Sequence, residues 1–359
     1  MRPWSGFWIS LGAWLLACAA HAAPCVTPGA SCAEWLSLIK GSARILVFRT
    51  HPLHERQTDI TRALVVVHGA QRDADRYFEH ALASASQAGA LDSSLVVAVR
   101  FASNNGENCE DRLTADELNW QCGGPGRWTA GGAASNNARV TSFDVVDQIL
   151  RQLARKETFP QLKGIVVAGH SAGGQFVARY AMANRVHDAL GVGVRYVVAN
   201  PSSYAYLDPA RPLPVGTIPS RRLATTTPFT PFAEVDRCAS YDRWPYGLHH
   251  RVGYTRRLAV HELTRQLTSR PTTYLLGGQD VLPQAGFDAS CPAMAQGPSR
   301  LARGLAFARY VNEQFGANHQ AVVVPACGHD GRCMFANAAA RELLFPTTAA
   351  LAVHTPRFD

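Results

Sequence analysis

The sequence predicts an α/β protein with a mostly parallel, doubly wound sheet, and two observations support this prediction. Short runs of apolar and β-branched residues alternate with longer amphipathic stretches, as in successive strand–helix units. The short runs are apolar throughout, which is typical of parallel strands covered on both faces. We expect strands at 45–48, 63–67, 95–101, 165–168, 196–199, 273–276 and 321–324, and helices at 73–88, 142–156, 174–184, 249–269, 299–315 and 334–344.

The chain begins with a segment that is typical of a secretory signal peptide. Arg2 precedes an apolar run, and Ala20-His21-Ala22 forms a small-x-small cleavage site, so we expect residues 1–22 to be removed on export. The apolar run is too short for a confident membrane span, and we expect no integral span in the mature chain. An alternative remains open, because the residues around Cys18 resemble a lipoprotein box that would anchor the protein through a lipidated Cys18.

Residues 23–359 are enough for one large α/β domain with a sizeable core. The formal net charge is +8, which could attract the protein to anionic surfaces. The basic residues are scattered singly, however, and no Lys/Arg run of the kind that binds nucleic acid is present. We therefore expect no nucleic-acid partner.

The cysteine content indicates disulfides. Of nine cysteines, eight remain if Cys18 is removed or lipidated, and an even set is expected in an exported, oxidised chain. Proximity along the chain suggests Cys25–Cys32, Cys109–Cys122 and Cys327–Cys333, which leaves Cys238–Cys291. A metal site is the alternative, but no CxxC pair or paired histidine spacing supports zinc, and we predict no metal.

Two stretches interrupt the strand–helix rhythm. Residues 102–137 form a long irregular segment rich in Gly, Asn and Cys that includes Trp120 and Trp128, and a functional loop held by a disulfide would explain it. Residues 201–247 are rich in proline and aromatic residues. We interpret them as a cap-like insertion over the carboxyl edge of the sheet, where ligands bind in open α/β folds. Aromatic packing beneath a structural excursion explains such residues equally well.

The segment 164–176 is the centre of the predicted chemistry. A buried strand at 165–168 leads through Gly169-His170-Ser171-Ala172-Gly173 into a helix, which is the context of a G-x-S-x-G nucleophile elbow. The glycines let the chain turn sharply enough to hold Ser171 in a strained backbone conformation that exposes its hydroxyl. The amino terminus of the following helix would point its free N–H groups at a developing oxyanion.

A serine nucleophile needs a base and an orienting acid, which follow it in the order Ser, acid, His in this kind of sheet. His329 follows the strand 321–324 by a short turn and lies between two cysteines, so we predict it to be the base. Asp280 follows the strand 273–276 and is the predicted acid, with Asp288 as the alternative.

Two backbone amides are expected to form the oxyanion hole. Ala172 supplies one, and the loop after the strand 63–67 supplies the other, with Ala70 preferred and Gln71 second. His68 precedes the nucleophile in the chain, and we expect it to orient this loop through hydrogen bonds. Gln71, Trp120 and Trp128 are the predicted substrate-binding residues, the two tryptophans as walls of an apolar acyl or aryl pocket.

The motifs HGAQRDADRYF, GHSAGGQF, LLGGQD and PACGHD, in this order, resemble the α/β-hydrolase superfamily from about residue 44 to the last helix. Within it, the chain is similar to exported esterases and polyester depolymerase-like hydrolases. The resemblance implies the α/β-hydrolase fold, Ser171 as nucleophile, His329 as base, Asp280 as acid, and the amides of Ala70 and Ala172 as oxyanion hole. A single glycine follows His68, whereas lipases with HGGG have more, so the substrate range of those lipases does not carry over.

The predicted function is therefore a secreted or periplasmic serine hydrolase that cleaves small or polymeric carboxylic esters without a cofactor. Two alternatives stay open. The same triad serves amidases and peptidases, and the fold could act as a non-catalytic extracellular binding protein.

Overall fold

The structure is a computed structural model that describes residues 23–39, 43–105, 109–212, 227–233, 235–284 and 286–347. The predicted signal peptide 1–22, with Cys18, lies outside the described residues, as does the stretch 213–226 of the predicted insertion. Within the described part of the chain, no helix is both long and apolar enough to cross a bilayer.

The described strands form an eight-stranded sheet that is mostly parallel, which confirms the predicted fold class. The strands are β1 Ala33–Ile39, β2 Ala43–Arg49, β3 Arg62–Val67, β4 Ser94–Val99, β5 Gly164–His170, β6 Gly193–Ala199, β7 Thr272–Gly277 and β8 Gln320–Val324. Their spatial order is β1-β2-β4-β3-β5-β6-β7-β8. Only β2 runs against its neighbours, pairing antiparallel with β1 and β4, and every other pairing is parallel.

Helices cover both faces of this sheet. They are α1 Ala74–Gln87, α2 Ser142–Leu153, α3 Ala172–Ala183, α4 Val260–Ser269, α5 Cys291–Met294, α6 Arg300–Phe315, α7 Gly331–Ala336 and α8 Ala338–Leu344. Two small ribbons pair Ala133–Ala134 with Asn137–Thr141 and Ala210–Arg211 with Thr230–Pro231.

The apolar runs produce two cores, one on each face of the sheet. In β3, Val65 and Val67 face a core shared with α2, α3, α4 and α6, whereas Leu64 and Val66 face a second core shared with α1, α7 and α8. Successive side chains of a strand point to opposite faces, so a strand between two cores must be apolar at every position. This explains why the runs were uninterrupted in the sequence.

One strand of the main sheet and two of the longer helices differ from the sequence prediction. The strand β1 was not predicted, because its pairing is antiparallel at the sheet edge and polar residues interrupt its sequence. The predicted helix 249–269 is a 3₁₀ turn, Gly253–Arg257, followed by α4. Here the Arg251 guanidinium donates to the carbonyls of Leu248, Thr255 and Leu258, which holds these carbonyls outside an α-helix.

The predicted helix 334–344 is also divided in two. Asn337 is extended, with φ −66° and ψ 147°, and its side chain accepts a hydrogen bond from the amide of Ala339 at 3.0 Å. Asparagine is a strong helix N-cap because its side chain satisfies an amide that has no partner within the helix. α7 therefore ends where α8 begins.

The four cysteine pairs suggested by proximity are disulfides in the structure: Cys25–Cys32, Cys109–Cys122, Cys238–Cys291 and Cys327–Cys333. The parallel arrangement brings the carboxyl ends of β3, β5, β7 and β8 to one edge of the sheet. The loops that follow these ends carry the residues of the candidate site.

Candidate active site

Ser171 lies in a tight turn between β5 and α3. Its backbone has φ 59° and ψ −118°, a conformation that L residues rarely adopt. The turn leaves no room for side chains on its glycines, since a Cβ on Gly169 would lie 2.3 Å from the carbonyl oxygen of Gly173, and a Cβ on Gly173 would lie 2.2 Å from that of Val67. The geometry is that of a nucleophile elbow, with the serine at the head of the helix.

The structure brings Ser171, His329 and Asp280 together, although they are far apart in the chain. His329 Nε2 lies 2.9 Å from Ser171 Oγ, and His329 Nδ1 lies 2.8 Å from Asp280 Oδ2. A carboxylate can only accept, so we assign the ring proton to Nδ1, which leaves the Nε2 lone pair to accept from the serine hydroxyl. This is the hydrogen-bond pattern by which a histidine activates a serine.

Asp280 is fully buried and also contacts a cation, Arg300, which sequence reasoning missed. Arg300 Nη1 lies 3.4 Å from Asp280 Oδ1, both side chains are inaccessible to solvent, and Arg300 Nε donates to Ser202 Oγ at 2.7 Å. Burial lowers the pKa of Arg300, and the adjacent carboxylate opposes that shift. Since one oxygen of Asp280 faces Arg300 and the other faces His329, the carboxylate is fixed in rotation.

Asn200 connects the loops that carry the acid and the histidine. Its Oδ1 accepts from the amide of Gly277 at 2.7 Å, and its Nδ2 donates to the carbonyl of Gly328 at 3.1 Å. It has a positive φ of 44° and is 1% exposed. Asparagine tolerates the left-handed conformation better than most residues. No sequence pattern marked this residue, because its role depends on two loops that meet only in the folded sheet.

The predicted oxyanion-hole residues lie beside Ser171. Ala172 is the first residue of α3, where an amide has no carbonyl of its own helix to bind. Ala70 follows Gly69 in the loop after β3, and both Ala70 and Gln71 border the cleft described below. These positions are compatible with a pair of amide donors for an oxyanion.

His68 holds the loop after β3 in place through two hydrogen bonds. Its Nε2 accepts from the amide of Phe101 at 2.9 Å, and its Nδ1 donates to the carbonyl of Gly69 at 2.8 Å. Complete burial lowers the pKa of His68 to about 4 and outweighs the hydrogen bond to Gly69, which acts in the opposite direction. A neutral ring is required for this pairing, since Nε2 must keep its lone pair.

His170, which stands at the first x of the G-x-S-x-G motif, packs against the candidate base. Its ring centroid lies 4.8 Å from that of His329, and its Nδ1 lies 2.8 Å from the hydroxyl oxygen of Tyr77. Burial, followed by the nearby His329, lowers the pKa of His170 well below its ordinary value. A neutral His170 adds no positive charge beside a base that must itself accept a proton.

A cleft with two lobes opens at Ser171. The histidine lobe has a volume of about 540 Å³ and is bordered by Tyr77, His80, His170, Ser171, His329 and Asp330. The aromatic lobe has a volume of about 840 Å³ and is bordered by Arg127, Trp128, Ala172, Gln175, Tyr246 and Phe287. The lobes share Ala70, Gln71 and Gly286.

The predicted substrate-binding residues have different positions in the structure. Gln71 is exposed and borders both lobes, and Trp128 borders the aromatic lobe although it is 2% exposed. Trp120 is fully buried, packs edge-on against Phe101 and borders neither lobe. Tryptophan in an irregular stretch does not reveal whether it faces a pocket or a core.

The predicted insertion is divided between core and cleft. Tyr204 and Tyr206 are fully buried and pack on Phe307 of α6. Tyr246 borders the aromatic lobe and donates to Asp288 Oδ2 at 2.8 Å. Asp288, the alternative acid, thus contacts this tyrosine, while Asp280 contacts His329. Among the described residues, no cluster of three or more His, Cys, Asp or Glu side chains could hold a metal ion.

Comparison with known proteins agrees with this architecture. Residues 64–343 match the model of the alpha/beta hydrolase family. No match was found among curated protein sequences. One similar solved structure is LpqC, a poly(3-hydroxybutyrate) depolymerase from Bordetella parapertussis, with 22% identity, a TM-score of 0.56, and coverage of 88% of this chain and 89% of that chain.

A second similar structure is poly(aspartic acid) hydrolase-1 from Sphingomonas sp. KT-1, with 21% identity, a TM-score of 0.57, and coverage of 87% of this chain and 97% of that chain. At these identities the two structures establish a shared fold. The family match spans most of the chain, from within β3 to within α8. The protein therefore belongs to the alpha/beta hydrolase family, as the resemblance of its motifs indicated.

Proposed function

We propose that the protein is an exported serine hydrolase that cleaves carboxylic esters through an acyl-enzyme. The observation that carries this proposal is the continuous hydrogen-bonded series Ser171–His329–Asp280 at the floor of an open cleft. Hydrogen bonds of 2.8–2.9 Å are of the length expected for a nucleophile, its base and the orienting acid.

The reaction follows from this arrangement. Ser171 Oγ attacks the ester carbonyl while His329 Nε2 takes its proton, and the amides of Ala70 and Ala172 donate to the oxyanion. His329 then gives the proton to the leaving alkoxide, which departs as the alcohol. Water, deprotonated by His329, attacks the acyl-enzyme and releases the acid. Asp280 keeps the ring in the Nδ1–H tautomer and stabilises the imidazolium.

The direct test is labelling with a fluorophosphonate probe, which reacts with activated serines. We expect the wild type to be labelled and Ser171→Ala to remain unlabelled, with a loss of turnover of roughly 10⁶ on a nitrophenyl ester. His329→Ala is expected to lose both labelling and turnover. If the wild type is not labelled, the protein is a binding protein with this fold.

The bond that is cleaved needs a second test. We expect a larger kcat/KM for an ester than for the matched anilide, since amide cleavage further requires protonation of a poor nitrogen leaving group. A clear anilide preference would identify an amidase or peptidase instead. A series of short, long and aryl esters and a polyester film separates soluble from polymeric substrates.

The compartment and domain boundaries are part of the proposal. The four disulfides are consistent with an oxidising compartment outside the cytosol. We expect residues 1–22 to be removed, leaving a catalytic domain of 23–359 with the insertion 201–247 beside the cleft. Mass spectrometry of the exported protein tests this boundary, and a mature chain that begins with a lipidated Cys18 would identify the lipoprotein instead.

A further inference from the structure

The two lobes of the cleft differ in chemistry, and this difference points to the substrate class. The inference rests on the proposed ester hydrolysis at Ser171. The histidine lobe is bordered mainly by charged and polar side chains, whereas Trp128, Tyr246 and Phe287 form walls of the aromatic lobe. An ester has an acyl part and an alcohol part, so the remaining question is which part occupies which lobe.

The position of the base answers this question. The leaving oxygen must take a proton from His329 Nε2, so the alcohol part must lie within hydrogen-bond reach of that atom. His329 borders the histidine lobe and not the aromatic lobe, while Ala172, the proposed oxyanion donor, borders the aromatic lobe. The alcohol part therefore occupies the histidine lobe, and the acyl part extends into the aromatic lobe.

The histidine lobe contains buried polar atoms that need partners. Asp73 Oδ1, His80 Nδ1 and His170 Nε2 are buried and form no hydrogen bond within the described part of the protein, and all three residues border this lobe. Burying a polar atom without a partner is costly. Hydroxyl groups match this polar lining in kind, because a hydroxyl both donates and accepts.

The charges around the histidine lobe are mixed in sign. Asp73, Glu79 and Asp330 are acidic, Arg76 and Arg332 are basic, and Arg76 Nε lies 3.8 Å from Asp73 Oδ2, so neither sign dominates. Charges of both signs nevertheless bind hydroxyl groups well, the carboxylates as acceptors and the guanidinium groups as donors. A molecule with several hydroxyl groups and no charge fits both conditions.

The aromatic lobe is the larger one and offers ring faces. Phe287 is half-buried, and its ring rests on the guanidinium of Arg303, whose Cζ lies 4.3 Å from the ring centroid. Arg303 is in turn fixed by the carbonyls of Gly297, Ser202 and Asp288. Phe287 is thus a supported wall, suited to stacking with a flat apolar group. Among the described residues that border this lobe, Thr129 alone has a buried side-chain polar atom without a hydrogen-bond partner.

We propose that the preferred substrates are esters that join an aryl-containing acid to a neutral polyol. The acid lies along Trp128 and Phe287, and the polyol binds among Asp73, His80 and His170. Hydrolysis releases the aryl acid after the polyol has left.

Two reversed esters test the assignment of the lobes. Glyceryl phenylacetate carries the ring in its acid and the diol in its alcohol, and the benzyl ester of 3,4-dihydroxybutanoic acid is an isomer with the two parts exchanged. The kcat/KM of each ester is divided by the rate constant for hydroxide-catalysed hydrolysis of the same ester, so that a difference in the intrinsic reactivity of the two esters does not affect the comparison. We expect a normalised preference for glyceryl phenylacetate of at least about tenfold. Equal values, or a preference for the benzyl ester, would overturn the assignment.

Variants separate the two lobes. Phe287→Ala is expected to lower the ratio of kcat/KM for glyceryl phenylacetate to kcat/KM for glyceryl acetate about tenfold. Phe229→Ala is the matched control, because that ring also rests on an arginine, Arg309 at 4.5 Å, but borders neither lobe. His80→Leu should reduce the preference for glyceryl phenylacetate over ethyl phenylacetate. Unchanged selectivity in both Phe287→Ala and His80→Leu would contradict the proposal.

The same assay distinguishes failure of this inference from failure of the proposed function. If neither isomer is hydrolysed and the fluorophosphonate probe does not label Ser171, the esterase proposal fails. If both isomers are hydrolysed at equal normalised rates and Ser171 is labelled, the esterase proposal stands and the polyol assignment alone is wrong.

Discussion

At the scale of single residues, Asn200 is the clearest example of a side chain that acts through others. It joins the loop before the acid to the loop before the histidine through Gly277 and Gly328. Its loss would let Asp280 and His329 move relative to each other without removing either group. Small displacements of catalytic groups lower the rate strongly, since the reaction depends on their alignment.

We expect Asn200→Asp to lower kcat by roughly 10²-fold while KM changes little. The new carboxylate oxygen would face the carbonyl of Gly328 and repel it, whereas the contact with the amide of Gly277 would remain. Steady-state kinetics on a nitrophenyl ester checks this expectation. Asn318→Asp, at an exposed position before β8, is the control. An unchanged kcat in Asn200→Asp would exclude the positioning role.

His68 makes stability depend on pH. The pKa of His68 is about 4 in the folded protein and near 6.5 in the unfolded chain. Between these values the unfolded chain binds a proton that the folded protein excludes, so the contribution of His68 to stability falls as the pH is lowered through this window. The slope from one such group approaches about 1.4 kcal/mol per pH unit.

The corresponding experiment compares urea denaturation at pH 7, 6 and 5. We expect the free energy of unfolding to fall less steeply in His68→Gln than in the wild type, by roughly 1 kcal/mol per pH unit below pH 6. His261→Gln, on the exposed side of α4, should keep the wild-type slope. Equal slopes in the two variants would mean that His68 is not the group responsible.

At the scale of elements, the turn between β5 and α3 is determined by contacts with the backbone of β3. A Cβ on Gly173 would lie 2.2 Å from the carbonyl oxygen of Val67 and 2.6 Å from that of His68. Both oxygens belong to the backbone that leads from the sheet into the proposed oxyanion loop, so neither can move away without distorting that backbone. α3 can pack against the sheet at this distance only because residue 173 has no side chain.

We therefore expect Gly173→Ala to lower the free energy of unfolding by more than about 3 kcal/mol, or to prevent folding. Gly123→Ala is the matched control, because a Cβ at Gly123 meets no atom within 4 Å and that glycine has no positive φ. Thermal unfolding of the two variants checks the contrast. Similar melting temperatures would show that the turn can relax.

The loop that carries His329 is closed by the Cys327–Cys333 disulfide. We expect the double variant Cys327→Ser/Cys333→Ser to lower kcat about tenfold, because the imidazole then samples more orientations. Removing Cys25–Cys32, which joins the start of β1 to the preceding residues, should leave kcat unchanged. Equal kcat in both double variants would indicate that the contacts of Asn200 and Asp280 alone fix the ring.

At the scale of the whole molecule, the sequence allowed prediction of the features that depend on local pattern. The buried strands were visible as apolar runs, and Ser171, Asp280 and His329 stood at strand ends in the expected order. The structure brings these three together. Arg300, Ser202 and Asn200 were not predicted, because a buried polar residue is recognised by its partners, and those partners are distant in sequence. The burial of Trp120 was not predicted either, since only the folded chain distinguishes the core from the cleft.

The sequence separation within the site has a consequence for biosynthesis. Ser171 and His329 are 158 residues apart, and their hydrogen bond exists only after β8 has joined the sheet edge. A polypeptide that lacks β8 therefore also lacks the contact by which, in the proposed mechanism, His329 activates Ser171. Recovery of turnover during refolding would accordingly report completion of the last strand.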